Sequence, residues 1–168
     1  MKIRTLIAAF SLIVAVPAMQ AADADVTATV AAQVKANPDN AAQIVAAAIA
    51  ANPSLAPDIA AAAVKAAPGQ AKNITAAAVK AAPNQASAIS KAETQAVPAQ
   101  ARNIYTAVLT AANTALRDGS MSGGTYSDAV NGAVKTFIAA ITGNFGTGGS
   151  NDIEIGEKVS ATVSSPAS

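Results

Sequence analysis

Side chains that commonly carry out catalysis are scarce in this chain of 168 residues. It contains no Cys and no His, which excludes thiolate and imidazole nucleophiles, disulfides and the usual zinc ligands. The segment GSMSG carries Met121 where a hydrolase nucleophile elbow needs serine. The glycines at 146–149 lack the full G-x-G-x-x-G spacing of nucleotide-binding loops. The sequence therefore predicts no enzyme active site and no cofactor.

Glu93 is the discordant charge on an otherwise apolar helical face, in a segment where Lys91 and Thr94 also replace Ala and Val. Its position allows two interpretations. In the first, Glu93 lies in a pocket, as in an enzyme or a carrier. In the second, it lies at an edge or groove of the array that water reaches. Because a buried unpaired carboxylate is costly, we expect Glu93 to be solvated or paired.

A second acidic feature, formed by Asp152, Glu154 and Glu157, follows a run of glycines. Calcium loops have a similar composition, but both the nonapeptide repeat and the spacing of a helix-loop-helix site are missing. We therefore interpret these residues as part of a solvated tail and predict no metal site.

The first 24 residues have the organisation of an export signal. Lys2 and Arg4 precede an apolar run at 6–16, and Pro17 is followed by small residues. Ala22-Asp23-Ala24 predicts cleavage after Ala24, with cleavage after Ala21 as the alternative. A retained membrane anchor would need about twenty apolar residues, so we expect removal of the signal and a periplasmic or extracellular protein with no transmembrane segment.

The segments that must position any site form a repeat, and prolines mark its period. Pro38, Pro53, Pro68, Pro83 and Pro98 are each 15 residues apart. The stretch 23–37 is a degenerate earlier copy without the proline. We number each unit from its proline as position one.

Within each unit the apolar residues recur with helical spacing. Positions four, seven, eight, eleven, twelve and fourteen fill one broad arc, and positions six and thirteen lie opposite it. Position ten, at the edge of the arc, is alanine in every copy: Ala32, Ala47, Ala62, Ala77, Ala92 and Ala107. A ligand groove would explain these alanines, but close helix packing explains them more simply.

Proline at the first helical position ends one helix and starts the next. We expect Asn37 and Asn52 to act as N-caps, and the third-position glutamines to reach back to the cap backbone. These are Gln70, Gln85 and Gln100. One long helix would lose about 3 kcal/mol at each interior proline, so we predict separate short antiparallel helices. Such helices are marginal alone and must stack, in a compact bundle or a short solenoid.

The repeat stops after Arg117 at a Gly/Ser-rich stretch. Thr125 to Asp128 predicts a capping box that opens an amphipathic helix, ended by Gly143. Phe137 on this helix is expected to cover the open end of the array. Apolar and polar residues alternate in 152–163, which indicates either a strand that adds to a partner or a disordered tail.

The sequence thus predicts an all-α protein with a flexible Gly/Ser-rich tail. Its predicted parts are a signal peptide at 1–24, a helical array at 25–117, a linker at 118–125, a capping helix at 126–142 and a tail at 143–168.

The phrases AAAVKAAP and AAxIxAAA recur between Val26 and Ala112. They resemble uncharacterised alanine-rich helical-repeat proteins exported by Gram-negative bacteria, and this resemblance implies no activity and no site.

The formal net charge of +1 gives no field suited to nucleic acid. We expect a non-enzymatic structural, matrix or protein-interaction module. Such a module is also compatible with a homo-oligomer. The alternative is an ice- or surface-binding protein that uses Thr75, Thr106 and Thr110.

Overall fold

The computed structural model describes residues 22–143, and this part of the chain folds into seven α-helices. They are α1 (Ala22–Ala36), α2 (Ala41–Ala51), α3 (Ala56–Ala66), α4 (Ala71–Ala81), α5 (Ala86–Ala96), α6 (Ala101–Arg117) and α7 (Gly123–Thr142). The predicted all-α array of short helices punctuated by proline is confirmed. Residues 1–21 of the predicted signal peptide lie outside the described range, as do the predicted strand at 152–163 and the acidic residues within it.

Each proline of the repeat opens a three-residue 3-10 turn, and the residue before it is extended. Ala67, before Pro68, has φ −137° and ψ 75°. Its N–H donates to the Ala63 carbonyl at 2.9 Å, and its carbonyl accepts from the Gln70 N–H at 2.9 Å. A unit is therefore an eleven-residue helix, one extended residue and a three-residue turn. The extended residue separates the helices, as predicted.

The predicted capping by the side chains of Asn37 and Asn52 is wrong. Asn37 and Asn52 precede the turns, but neither side chain makes a cap hydrogen bond. The Asn52 amide instead donates backwards to the Ala48 carbonyl at 3.3 Å. Proline removes one N–H from the helix start, and the backbone N–H of Asn40 is already satisfied by the Asn37 carbonyl. The turn therefore needs no side-chain cap.

The third-position glutamines also bond differently from the prediction. Gln70 Oε1 accepts from the Asn73 amide at 2.8 Å, and Gln100 Oε1 accepts from the Asn103 amide at 2.6 Å. Both bonds run forward along the first turn of the helix rather than back to the cap backbone. The pairs stabilise the surface of the helix start.

The helices form two stacks, because each packs chiefly against the helix two positions further along the chain. One stack contains α1, α3, α5 and α7, and the other contains α2, α4 and α6. Gln85 Nε2 donates to the Pro53 carbonyl at 2.7 Å, which places the first turns of two alternate units side by side. Alternate helices therefore run in the same direction, and the array is a short solenoid.

The core lies between the two stacks and contains mainly Ala, Val and Ile. Position four is buried in every complete unit, and position seven is fully buried from α3 to α6. The exposed positions six and thirteen confirm the predicted polar face. The side chains buried at position seven are Ile59, Ile74, Ile89 and Ile104.

Position ten is less buried than its expected role in close helix packing predicts. Ala32 and Ala47 are exposed, Ala62 and Ala77 are half-buried, and only Ala107 is buried among the described copies. The reason is geometric. Position ten lies at the rim of the clefts between helices, whereas position eleven faces the core.

The last two helices are antiparallel neighbours. The rings of Tyr105 and Phe137 stack with centroids 5.2 Å apart, and the Tyr126 hydroxyl donates to Asn113 Oδ1 at 3.2 Å. Because the early part of α6 meets the late part of α7, these helices run in opposite directions.

The start of α7 differs from the prediction. The helix begins at Gly123, and its N-cap is Ser122, whose side chain accepts from the Thr125 N–H. The predicted capping box therefore lies inside the helix, and the linker ends earlier than expected. The predicted end is confirmed, since Gly143 follows α7 with φ +69°.

Candidate functional site

Helix α5 departs from the repeat at three core positions. Ser90, Glu93 and Thr94 are all buried there, although the equivalent positions of α3 are Ala60, Ala63 and Val64. A polar group in an apolar core must find a hydrogen-bond partner or it destabilises the fold. This polar cluster lies at the middle of the array, because α5 packs against α3, α4, α6 and α7.

Glu93 is the charged member of the cluster, and it is 0 % exposed. Its Oε2 lies 2.7 Å from Thr75 Oγ1 on α4. Among residues 22–143, Glu93 Oε1 has no hydrogen-bond partner. Thr75 Oγ1 is also 2.8 Å from the Ala71 carbonyl of its own helix. The carboxyl group is therefore held at one oxygen and unsatisfied at the other.

Burial changes the protonation of this carboxyl group. Desolvation raises the pKa of Glu93 from its ordinary value of 4.5 to about 8, and the hydrogen bond with Thr75 lowers it in part. Of the two expected alternatives, solvated or paired, the solvated one is wrong, and the paired one holds at one oxygen, with a neutral hydroxyl rather than a cation. The sequence cannot show this, because Thr75 lies 18 residues earlier and meets Glu93 only when the units stack.

Three clefts on the described surface are lined by residues other than Glu93. The largest of these three has a volume of about 670 Å³ and lies between α1 and α2, at the start of the array. Its lining includes Val26, Ile44 and Ala48, all half-buried, with Asp25 and Gln43 beside them. Ile44 occupies the position that is fully buried in α3 to α6. Among residues 22–143, no helix covers this end of the array.

The two smaller clefts lie between alternate helices. One, of about 440 Å³, separates α1 from α3 and is lined mainly by alanines with Lys35 and Lys65 beside them. The other, of about 460 Å³, separates α2 from α4 and includes Lys80. Alanines at position ten line both, which explains why that position is open to solvent. These clefts are shallow, and they arise because the packed helices carry small side chains there.

The threonines proposed for a surface-binding face are not together. Thr75 is fully buried beside Glu93, so it presents nothing to solvent. Thr106 and Thr110 remain exposed on α6, and Thr114 continues their row. Each hydroxyl of this row donates to the carbonyl four residues earlier. This row on α6 is therefore polar, although Leu116 on the same helix is exposed.

The chain matches no protein-family model, no curated protein and no solved structure. The resemblance to exported alanine-rich repeat proteins therefore stays a prediction. In residues 22–143, no helix is both long enough and apolar enough to cross a membrane. The same range contains no group of three or more acidic side chains that could hold a metal ion.

Two structural contacts were not anticipated from the sequence. Gly132 on α7 lies directly against Ser87 on α5, and its small size is the only sequence signal of that approach. Met121 is 3 % exposed, and its N–H donates to the Ala115 carbonyl at 2.9 Å. The residue that breaks the hydrolase motif is thus an apolar anchor for the turn between α6 and α7.

Proposed function

We propose that this protein is an exported, non-enzymatic interaction module that binds a protein or matrix partner through its helical-repeat surface. The contact surface is the cleft formed by α1 and α2. The proposal includes a role outside the cytoplasm, since Lys2, Arg4 and the apolar run at 6–16 have the organisation of a signal peptide.

The observation that carries this proposal is the open apolar cleft at the α1–α2 end of the array. There, Ile44 and Val26 remain half-buried beside the cleft. The last helices expose a row of hydroxyl groups at Thr106, Thr110 and Thr114, together with the isolated apolar side chains of Leu116 and Ile141. Terminal repeats need a polar outer face to stay soluble. An apolar end that no helix of residues 22–143 caps therefore favours contact with another molecule.

Cleavage after Ala24 is compatible with the array. It would remove three residues from the start of α1, and the first fully packed side chains, Val30 and Val34, would remain. The mature chain would then begin with Asp25 at the edge of the α1–α2 cleft. Export and exposure of the proposed contact surface are thus consistent with one another.

Site-specific photo-crosslinking in the producing cell tests the proposal. A photoreactive residue at position 44 should give a discrete crosslinked product in the exported fraction, because the side chain borders the proposed contact surface. The matched control is the same residue at position 110, which is exposed in the threonine row of α6. Equal crosslinking at the two positions, or none at position 44, would refute the proposed surface.

Export has its own readout. The mass of the protein recovered from the periplasm or medium should correspond to a chain that begins near Asp25. Recovery of chain with Met1 intact from the cytoplasm alone would refute export and leave the crosslinking result to be judged separately.

The exposed threonine row favours ice or surface binding as a second candidate. Thr106, Thr110 and Thr114 are four residues apart on α6, which places their Cα atoms about 6 Å apart along the helix axis. Their hydroxyl hydrogens are directed to backbone carbonyls, so the methyl groups and oxygen lone pairs remain for contact. Thermal hysteresis that Thr110→Lys abolishes would support this candidate, and its absence in the unmodified protein would exclude it.

A further inference from the structure

One more proton than an ionised carboxylate provides allows both short contacts of the Thr75 hydroxyl to be hydrogen bonds. Thr75 Oγ1 is close to two oxygens, Glu93 Oε2 at 2.7 Å and the Ala71 carbonyl at 2.8 Å. A threonine hydroxyl has one hydrogen and can donate to only one of them. With a proton on Glu93 Oε2, the acid donates to Thr75 Oγ1 and the hydroxyl donates to Ala71. Both short contacts are then hydrogen bonds.

Nothing in residues 22–143 offers Glu93 a compensating charge. The buried residues of α3, α4, α6 and α7, which pack around α5, are all uncharged. Every ionised side chain of these helices and of α5 itself, other than Glu93, is exposed: Asp58, Lys65, Lys72, Lys80, Lys91, Arg102, Arg117, Asp128 and Lys135. The tyrosines of α6 and α7 are half-buried, and Tyr105 contacts Phe137 while Tyr126 contacts Asn113. An ionised Glu93 would therefore be an isolated charge in an apolar core.

We propose that Glu93 is a proton-dependent switch inside the array: its neutral form joins α5 to α4 through Thr75, and its ionisation separates these helices locally. The Oε1 oxygen of Glu93 already has no hydrogen-bond partner in the described range. When the carboxyl group ionises, this oxygen carries negative charge and must be solvated. Because Glu93 is 0 % exposed, water can reach it only if α5 moves relative to the helices packed around it. Because α5 also packs against α3 and α7, the separation loosens the centre of the solenoid. This inference is independent of the proposed function.

The direction of the pH dependence follows from the burial of Glu93. Its pKa in the folded protein, about 8, lies above its ordinary value of 4.5, so the neutral form favours the closed array. The stabilisation is complete below pH 4.5, decreases as the pH rises, and is lost above about pH 8. The switch therefore opens in mildly alkaline solution.

Carbon-13 labelling of glutamate carboxyl groups tests the protonation directly in the full chain. The sequence contains only three glutamates, Glu93, Glu154 and Glu157, so three signals are expected. The signal that Glu93→Gln removes should titrate near pH 8. Glu154→Gln and Glu157→Gln identify the other two signals, so the assignment holds even if Glu93→Gln fails to fold. A Glu93 signal that titrates near 4.5 would overturn the proposal.

Hydrogen exchange, corrected for the intrinsic effect of pH, tests the opening. Between pH of about 6 and about 9, protection of α4 and α5 should fall more than about tenfold in the unmodified protein. In Glu93→Gln the amide replaces the acid as the donor to Thr75, so protection should not change with pH. Unchanged protection in the unmodified protein, or an equal fall in Glu93→Gln, would show that ionisation does not open the array. In case Glu93→Gln does not fold, the exchange of the unmodified protein alone decides.

Discussion

At Gly132, the spacing between α5 and α7 depends on the absence of a side chain. A Cβ atom built at Gly132 would overlap Ser87 Oγ and lie 2.7 Å from Ser87 Cβ and 3.2 Å from Ser87 Cα. Rotation of the serine hydroxyl cannot relieve the contacts with Cβ and Cα. The glycine therefore allows the two helices to approach, at a cost in helix propensity of about 1 kcal/mol relative to alanine.

Gly132→Ala should consequently destabilise the fold, although alanine is the better helix former. Overpacking costs about 1 to 3 kcal/mol, and the gain in propensity offsets part of it, so we expect a net loss of about 1 to 2 kcal/mol in urea unfolding. Gly124→Ala is the control, because the nearest atom to its Cβ is 4.0 Å away. Ser87→Gly should recover stability in the Gly132→Ala background. Equal stability of the two alanine variants would contradict the close helix contact.

Glu93 shows the limit of prediction at the same scale. The sequence identifies it as discordant, because Glu stands where α3 and α4 have Ala63 and Ala78. Its burial cannot be read from α5 alone, since it depends on the helices that cover this position. The sequence left Glu93 either solvated or paired, and the stacked helices exclude the solvated alternative.

Between α1 and α6, the proline period was sufficient to predict where one helix ends and the next begins. All five prolines of the 15-residue period open a 3-10 turn. The reason is that proline fixes its own φ and pushes the preceding residue out of the α region. Helix rotation was harder to predict. Positions nine, ten and eleven are all alanine in α3 and α4, so the pattern gives no size difference that separates the core from its rim.

The alanines of α4 allow the observed rotation to be tested. Ala78 is 0 % exposed, whereas Ala77 borders the cleft between α2 and α4. We expect Ala78→Leu to destabilise by about 1 to 3 kcal/mol through overpacking, and Ala77→Leu to cost less because the cleft can accept the side chain. Lys80→Leu, on the exposed face, should stay within about 0.5 kcal/mol. Urea unfolding of the three variants gives the order. A larger cost for Ala77→Leu than for Ala78→Leu would mean that α4 is rotated.

The start of α7 was mispredicted for a related reason. The stretch GSMSGGT has the composition of a linker, yet Ser122 caps the helix and Gly123 begins it. Met121, the anchoring residue, is the apolar residue of that stretch. Its burial against the array orders the turn, which composition alone does not reveal.

As a whole molecule, the solenoid is stabilised by contacts between neighbouring units, and its two ends differ. In such an array each helix gains stability from the helices on both sides, so a terminal helix has less to lose. Ile44 on α2 is half-buried, whereas Ile74, at the same position on α4, is fully buried. The two side chains are chemically identical and differ in whether a preceding helix covers them.

Truncation of these isoleucines measures how open the α1–α2 end is. Ile74→Ala should destabilise by about 2 to 5 kcal/mol, because it removes a fully buried side chain and leaves a cavity. Ile44→Ala should cost about 1 kcal/mol, since part of its surface is already in water. Urea unfolding of the mature chain, with the slope of the transition compared between variants, separates a loss of stability from a change in the extent of unfolding. If Ile44→Ala were as damaging as Ile74→Ala, the end would be covered in solution. The cleft between α1 and α2 would then already be occupied, by a second copy or by another segment of the chain, and would not be free for a partner.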